Sequence, residues 1–529
     1  DKLTHVSDAD QKRRYDYWSD VQKQLEQLSC DRLSHEDCIN FRLYQKQISD
    51  FRADYETKAY LIPFNSDWGF YMEWSRMPAD NDFTRLVDYN HYLSRLGMID
   101  EVMDEYIVLM RTGIELGITQ PRVILEGRDA PIKAQLVDSV DASPFFEPFR
   151  KMPEAISSAD QAKLLARAQE VISGSVIPAY RRLFDFFHRE YLPAARDTLG
   201  AYQLPDGEQF YQAAIRRYVT VDMTPQEIHD IGLKEVARIR AEMDDIIRQV
   251  EFAGDFPAFL EFLRTDEQFY ARTPKDLLAF ASYYAKKIDG RLPMLFGRLP
   301  RQPYGIAPVP DDIAPFYTGG RYVPNSLASR RGSYYWVNTY NLPSRPLYNM
   351  PALTLHEAVP GHHLQGALAQ ELDEQPPFRR FDYISAYGEG WGLYAEKLGV
   401  EMDIYETPYE HFGRLSYEMW RACRLVIDTG IHSMGWTREQ AQDYLASNTA
   451  LSVHEVTTEV DRYISWPGQA LSYKLGEYTL WNLRREAESA LGQRFDVRAF
   501  HDFVLGLGSV TLDILQDEVR AWVAGQENT

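Results

Sequence analysis

A mainly α-helical fold, a large helical body around a deep cleft with one small β-sheet, is predicted by three observations. Apolar residues recur at helical spacing along most of the chain. Several of these runs open with capping signals. One segment, 291–351, breaks the pattern with Pro, Gly, Tyr and Arg. The size allows it: 529 residues, 45% hydrophobic and 13% aromatic, can bury a large core.

In chain order, segments 8–30, 88–117 and 159–197 read as helices. The clearest start is Thr224-Pro225-Gln226-Glu227, where Thr224 caps, Pro225 suits the first helical position and Glu227 completes a capping box. Ile228, Ile231, Val236, Ile239, Met243, Ile246 and Val250 then share one face. Helices follow at 275–289, 409–434 and 475–491, and Thr437-Arg438-Glu439-Gln440 opens one ahead of Ala441 and Leu445. Within 291–351, Gly332 to Tyr340 has strand composition, and Pro343, Pro346 and Pro351 keep the chain non-helical up to Ala352. No linker splits the chain, so the expectation is one body, 1–529, of one or two lobes around a cleft.

The formal charge of −21 disfavours nucleic acid, because such a surface repels phosphate backbones. No apolar run reaches 18 residues, so no membrane-spanning segment is expected. Oligomeric state is not legible. Cys423 lies inside a helical pattern and reads as a buried thiol. Cys30 and Cys38 stand eight residues apart, either as a local disulfide or as two thiols. That pair, with Asp1 rather than Met as first residue, tilts the expectation toward export, periplasmic or lipoprotein-anchored, with the cytoplasm as alternative.

The chemistry concentrates at His356-Glu357-Ala358-Val359-Pro360-Gly361-His362-His363. Hydrolytic zinc takes three protein ligands and leaves a position for water. The usual helical arrangement, His-Glu-x-x-His, puts two His on one face with the Glu activating water. Here Pro360 stands where the second His would be. On a regular helix His362 falls about 240° from His356, and His363 about 10.5 Å along the axis. Neither shares a metal with His356 unless the helix breaks. Pro360 removes a donor and Gly361 tolerates unusual dihedrals, so a bulge there can return either His to the metal. Three His and a Glu within eight residues, in a chain with 12 His, outweigh the alternative of core histidines beside a helix end. The third ligand is expected on a second helix, at Glu389 in Tyr387-Gly388-Glu389-Gly390-Trp391, where the glycines permit close approach. Glu396 reads either as a group behind a ligand or as a surface charge.

His-Glu-Ala-Val-Pro-Gly-His-His-Leu-Gln (356–365), Gly-Glu-Gly-Trp-Gly-Leu-Tyr-Ala-Glu (388–396) and Pro-Gly-Gln-Ala-Leu-Ser-Tyr-Lys-Leu-Gly (467–476) resemble the bacterial family called domain of unknown function 885, over most of the chain. That family is in turn similar to helical zinc peptidases of the angiotensin-converting enzyme, thimet oligopeptidase and carboxypeptidase Taq type, which use His-Glu-x-Gly-His plus a downstream Glu. The resemblance implies a gluzincin-like fold and one Zn2+ held by His356, His362 and Glu389, with Glu357 as general base. The two residues inserted before Gly361-His362 depart from the peptidase pattern. It further implies an oxyanion donor from late in the chain, Tyr473 first and His432 second. An edge strand before the zinc helix, placing Tyr334, Tyr335, Trp336 and Asn338 beside the cleft, would pair with substrate backbone. Arg462 and Lys474 are candidates to hold a substrate carboxylate. The expected function is a metallopeptidase, of carboxypeptidase or oligopeptidase type, cleaving short peptides. The alternatives are a zinc amidase acting on a non-peptide amide and a non-catalytic scaffold.

Overall fold

The computed structural model describes residues 2–311, 313–327 and 332–527. The chain is mainly helical with one three-stranded sheet, and it divides into two compact units. The first comprises Asp1–Leu28, Gln45–Phe210 and Ile464–Trp466; the second comprises Ser29–Tyr44, Tyr211–Tyr463 and Pro467–Thr529.

The first unit is organised by the helix Leu86–Leu116, whose Tyr89, Tyr92, Leu93, Leu96, Ile99, Met103 and Met110 are buried along one stripe. The segment expected at 159–197 is helical from Ser158 to Ala194, with π turns at Ile172–Val176 and Phe187–Tyr191.

The second unit carries all the candidate site residues. Its capping boxes form as the side-chain chemistry requires: Glu227 accepts from the Thr224 amide at 2.8 Å, and Thr224 from the Glu227 amide at 3.2 Å. The helix Pro225–Gln249 packs on Pro408–Met434, and Ser385–Glu401 packs on Ser472–Leu491. The second contact is close because two glycines meet there. A Cβ on Gly390 would fall 2.5 Å from the Gly476 Cα. Trp391, Tyr394, Leu398, Leu480, Phe500 and Leu515 fill the core beneath it. Each such side chain contributes about 1.5–3 kcal/mol on full burial.

The sheet runs β1 (Tyr304–Pro308), β3 (Ser333–Val337), β2 (Gly320–Val323) in space. β3 pairs parallel with β1 and antiparallel with β2. This corrects the expected edge strand: β3 is central, its backbone is used on both sides, and it cannot accept a substrate strand. Its side chains alternate as a half-buried strand should. Ser333, Tyr335 and Val337 are buried, and Tyr334 faces out. Residues 312 and 328–331 of the 291–351 segment lie outside the described residues.

Candidate metal centre

His356 sits in the last turn of the helix Met350–Glu357. The helix stops there because Ala358 leaves helical geometry (φ −96°, ψ −113°) and Pro360, two residues on, has no amide donor to continue it. A new helix, His362–Gln370, starts directly after Gly361. The turn is tight enough to require glycine. A Cβ at 361 would lie 1.9 Å from the His356 carbonyl oxygen and 2.4 Å from that of Leu355. Trp391 Nε1 donates to the Pro360 carbonyl at 2.7 Å and the His363 amide to that of Ala358 at 3.0 Å, so the bulge has partners for its polar groups. The two additional residues are absorbed, and the His356 and His362 rings come to 4.7 Å between centroids, at 87°.

Glu389 completes the group. Its Oε2 lies 3.6 Å from His356 Nε2 and 3.4 Å from His362 Nε2. One ligand atom from each of the three residues falls within 4.8 Å of the others. Donors at 2.0–2.1 Å around a tetrahedral zinc are about 3.3 Å apart, so this spacing fits such an ion. Two of the remaining atoms are also committed. His356 Nδ1 bonds Glu396 Oε1 at 2.8 Å, which holds the ring with Nε2 toward Glu389 and His362. Glu396 is therefore not a surface charge; it is buried, with Arg421 at 3.7 Å. The Tyr383 hydroxyl donates to Glu389 Oε1 at 2.8 Å, leaving Oε2 on the imidazole side. Close packing of the His356 ring on the Glu389 helix depends on Gly392, where a Cβ would sit 2.7 Å from Nε2.

As these residues stand, burial raises the Glu389 pKa, but the two imidazoles outweigh it and hold the carboxyl well below the usual range. Burial likewise opposes charge on His356, yet Glu389 and Glu396 push its pKa up to about 10. His363 points elsewhere. Its Nε2 meets the Gln302 carbonyl at 3.0 Å, its ring lies 4.8 Å from Tyr304, and burial pushes its pKa down to about 4. His362 is thus the histidine that the bulge brings to His356 and Glu389.

Glu357, next to His356, is half-buried, and its Oε2 accepts the Tyr322 amide of β2 at 2.8 Å. Tyr473 is nearly buried. Its hydroxyl receives Arg462 Nη2 at 3.3 Å, and the Arg424 guanidinium lies 4.3 Å from its ring centroid.

Five other expected site residues are placed differently. Tyr335 is buried among Val337, Met350, Leu353 and Ala358 and lines core. Asn338 is buried, donating to the Ala314 and Tyr317 carbonyls at 2.9 Å and closing the loop before β2. His432 is buried with Nε2 at 2.8 Å from the Tyr463 carbonyl, a satisfied core histidine rather than an oxyanion donor. Lys474 is enclosed by Glu477, Glu418 and Glu235 at 2.7, 2.8 and 3.0 Å and is closed to any substrate carboxylate. Arg462 is engaged with Gln469 at 2.7 Å, Glu459 at 3.6 Å and Tyr473, so it supports Tyr473 instead of binding substrate. Tyr334 stays on the outer face of the sheet, over Gly305. Three residues near the centre carried no sequence signal: Tyr383 in a short loop, Tyr322 acting through its backbone, and Arg321 beside it.

Cys30 and Cys38 form a disulfide, and Cys423 is a buried free thiol whose pKa burial pushes up. No helix among the described residues is long and apolar enough to cross a membrane. The chain belongs to the family described as "Bacterial protein of unknown function (DUF885)", matched over residues 1–519. No curated protein matches it. Among solved structures it is similar to a protein of Colwellia psychrerythraea described as a putative lipoprotein. That match has a TM-score of 0.91 and 28% identity, over 99% of this chain and 92% of the other. A putative lipoprotein of unknown function from Shewanella oneidensis shares the fold, with a TM-score of 0.74 at 18% identity over 97% and 93% of the two chains.

Proposed function

For this member of a family without an assigned activity, we propose a zinc-dependent hydrolase that cleaves short peptides. The observation that carries the reading is the convergence of His356 Nε2, His362 Nε2 and Glu389 Oε2, with Glu357 next to His356 in the chain. Two imidazoles and a carboxylate are a donor set that suits zinc and leaves one position for water or substrate. When bound, the ion supplies Lewis acidity toward a carbonyl and lowers the pKa of water. Glu357 takes the proton of the attacking water and returns it to the leaving amine; the Tyr322 amide on Oε2 fixes its orientation. Tyr473, with Arg462 on its hydroxyl oxygen, retains an O–H to donate to the developing oxyanion. An extended substrate adding to the sheet would do so at β2, the edge strand whose Tyr322 faces Glu357, instead of at β3.

The Cys30–Cys38 disulfide and the likeness to a described lipoprotein support an exported location.

Metal analysis of protein purified without added metal, with a panel of free and blocked peptides and non-peptide amides, tests the reading. One zinc per chain and peptide cleavage is the expected result. Absence of metal would favour the scaffold alternative, and turnover of non-peptide amides alone would favour the amidase. Glu396→Gln is expected to weaken zinc binding by about 10–100-fold, because the His356 ring loses the charge that orients it. Competition with a chromogenic chelator measures this, and unchanged affinity would remove Glu396 from the centre.

A further inference from the structure

Arg321 precedes the residue whose amide holds the general base. It lies on edge strand β2, in register with Trp336, and its side chain is exposed. The other cations near the site are paired with carboxylates. Arg421 is 3.7 Å from Glu396, Arg424 is 3.0 Å and Arg462 3.6 Å from Glu459, and Lys474 is ringed by three Glu. Arg321 has no ion pair among the described residues. Its hydroxyl neighbour is Tyr317, and it feels the charges of Glu357 and Glu389. A chain of net charge −21 thus holds an accessible guanidinium, without an ion pair among the described residues, on the strand residue next to the one whose amide holds Glu357.

We infer that Arg321 binds the C-terminal carboxylate of the substrate, so that the site acts on short peptides with a free C-terminus and releases one or two residues. The inference rests on the hydrolase reading above. A guanidinium meets a carboxylate through two parallel charge-assisted hydrogen bonds, a geometry that selects this group over a neutral amide. The one-or-two-residue limit follows from position on the strand: Arg321 is next to Tyr322, whose amide holds the Glu357 carboxylate, and each extended substrate residue spans about 3.3–3.6 Å. A substrate passing the base beside Tyr322, whose amide stays on Glu357, would bring its end to Arg321.

The test uses zinc-loaded full chain and a mixed set of N-acetylated tripeptides, each as free acid and as C-terminal amide, with products read by mass spectrometry. Wild type is expected to favour the acids by about 10–100-fold in kcat/KM, chiefly through KM. Arg321→Met should erase that preference by slowing the acids far more than the amides, with melting temperature unchanged, and Arg321→Lys should keep part of it. Equal cleavage of acids and amides by wild type would overturn the assignment while leaving the hydrolase reading intact. An equal loss on both in Arg321→Met would also overturn it, marking Arg321 as a charge that merely balances Glu357 and Glu389. Cleavage of neither form by zinc-loaded wild type would overturn the hydrolase reading, and the assignment with it.

Discussion

Glu357→Gln is expected to keep its zinc and lose about 10²–10⁴-fold in turnover, the usual contribution of a positioned general base. The substitution is nearly isosteric. The new side-chain amide retains a carbonyl oxygen for the Tyr322 N–H, so the 2.8 Å contact that orients the side chain survives. The proposed ligands do not include Glu357: His356 and His362 meet at Glu389 Oε2, and the Tyr322 bond holds Glu357 toward β2. Metal content and melting temperature should therefore match wild type while hydrolysis falls. Normal turnover would show that another group takes the proton. Loss of zinc would make Glu357 a ligand and dissolve the role assigned to Glu389.

What was legible in the sequence was chemistry confined to short spans. Pro360 and Gly361 cannot continue a helix, and the break between His356 and His362 is where their properties place it. The glycines around Glu389 signalled close approach, and Gly390 meets Gly476 across two helices while Gly392 admits the His356 ring. The capping boxes at Thr224 and Thr437 opened helices as read. What was hidden depends on partners distant in sequence. Lys474 looked available because the carboxylates that enclose it, Glu235 and Glu418, come from two other helices. The resemblance implied an edge strand, but β3 is flanked on both sides by segments that do not show as strands in the sequence, one of them only four residues long. The choice between His362 and His363 was set by the bulge's backbone path, to which both residues are equally compatible by composition. The helix His35–Glu56 is not legible in the sequence because its polar residues are spread around the helix and leave only a faint apolar stripe.

Tyr473→Phe is expected to lower turnover by about 10²–10³-fold, the usual loss on removing one donor to an oxyanion. The hydroxyl has an uncommon setting. Its oxygen accepts from Arg462, whose guanidinium is itself fixed by Gln469 and Glu459, and Arg424 covers the ring. Because the hydroxyl oxygen accepts from Arg462, the phenol's own proton is left to donate, which is what a developing oxyanion needs. The residue lies in the first turn of the helix Ser472–Leu491, which packs on the helix carrying Glu389 and is a different element from those of the proposed ligands. Deleting the hydroxyl leaves Arg462 its other partners, and folding should lose no more than about 1 kcal/mol. Zinc content should be unchanged and KM only weakly altered. The competing donor is Tyr383, whose hydroxyl already touches Glu389 Oε1 at 2.8 Å. Full turnover in Tyr473→Phe together with a collapse in Tyr383→Phe would move the oxyanion role to Tyr383. A drop in melting temperature with normal turnover per folded molecule would instead make Tyr473 a structural anchor for Arg462 and Arg424.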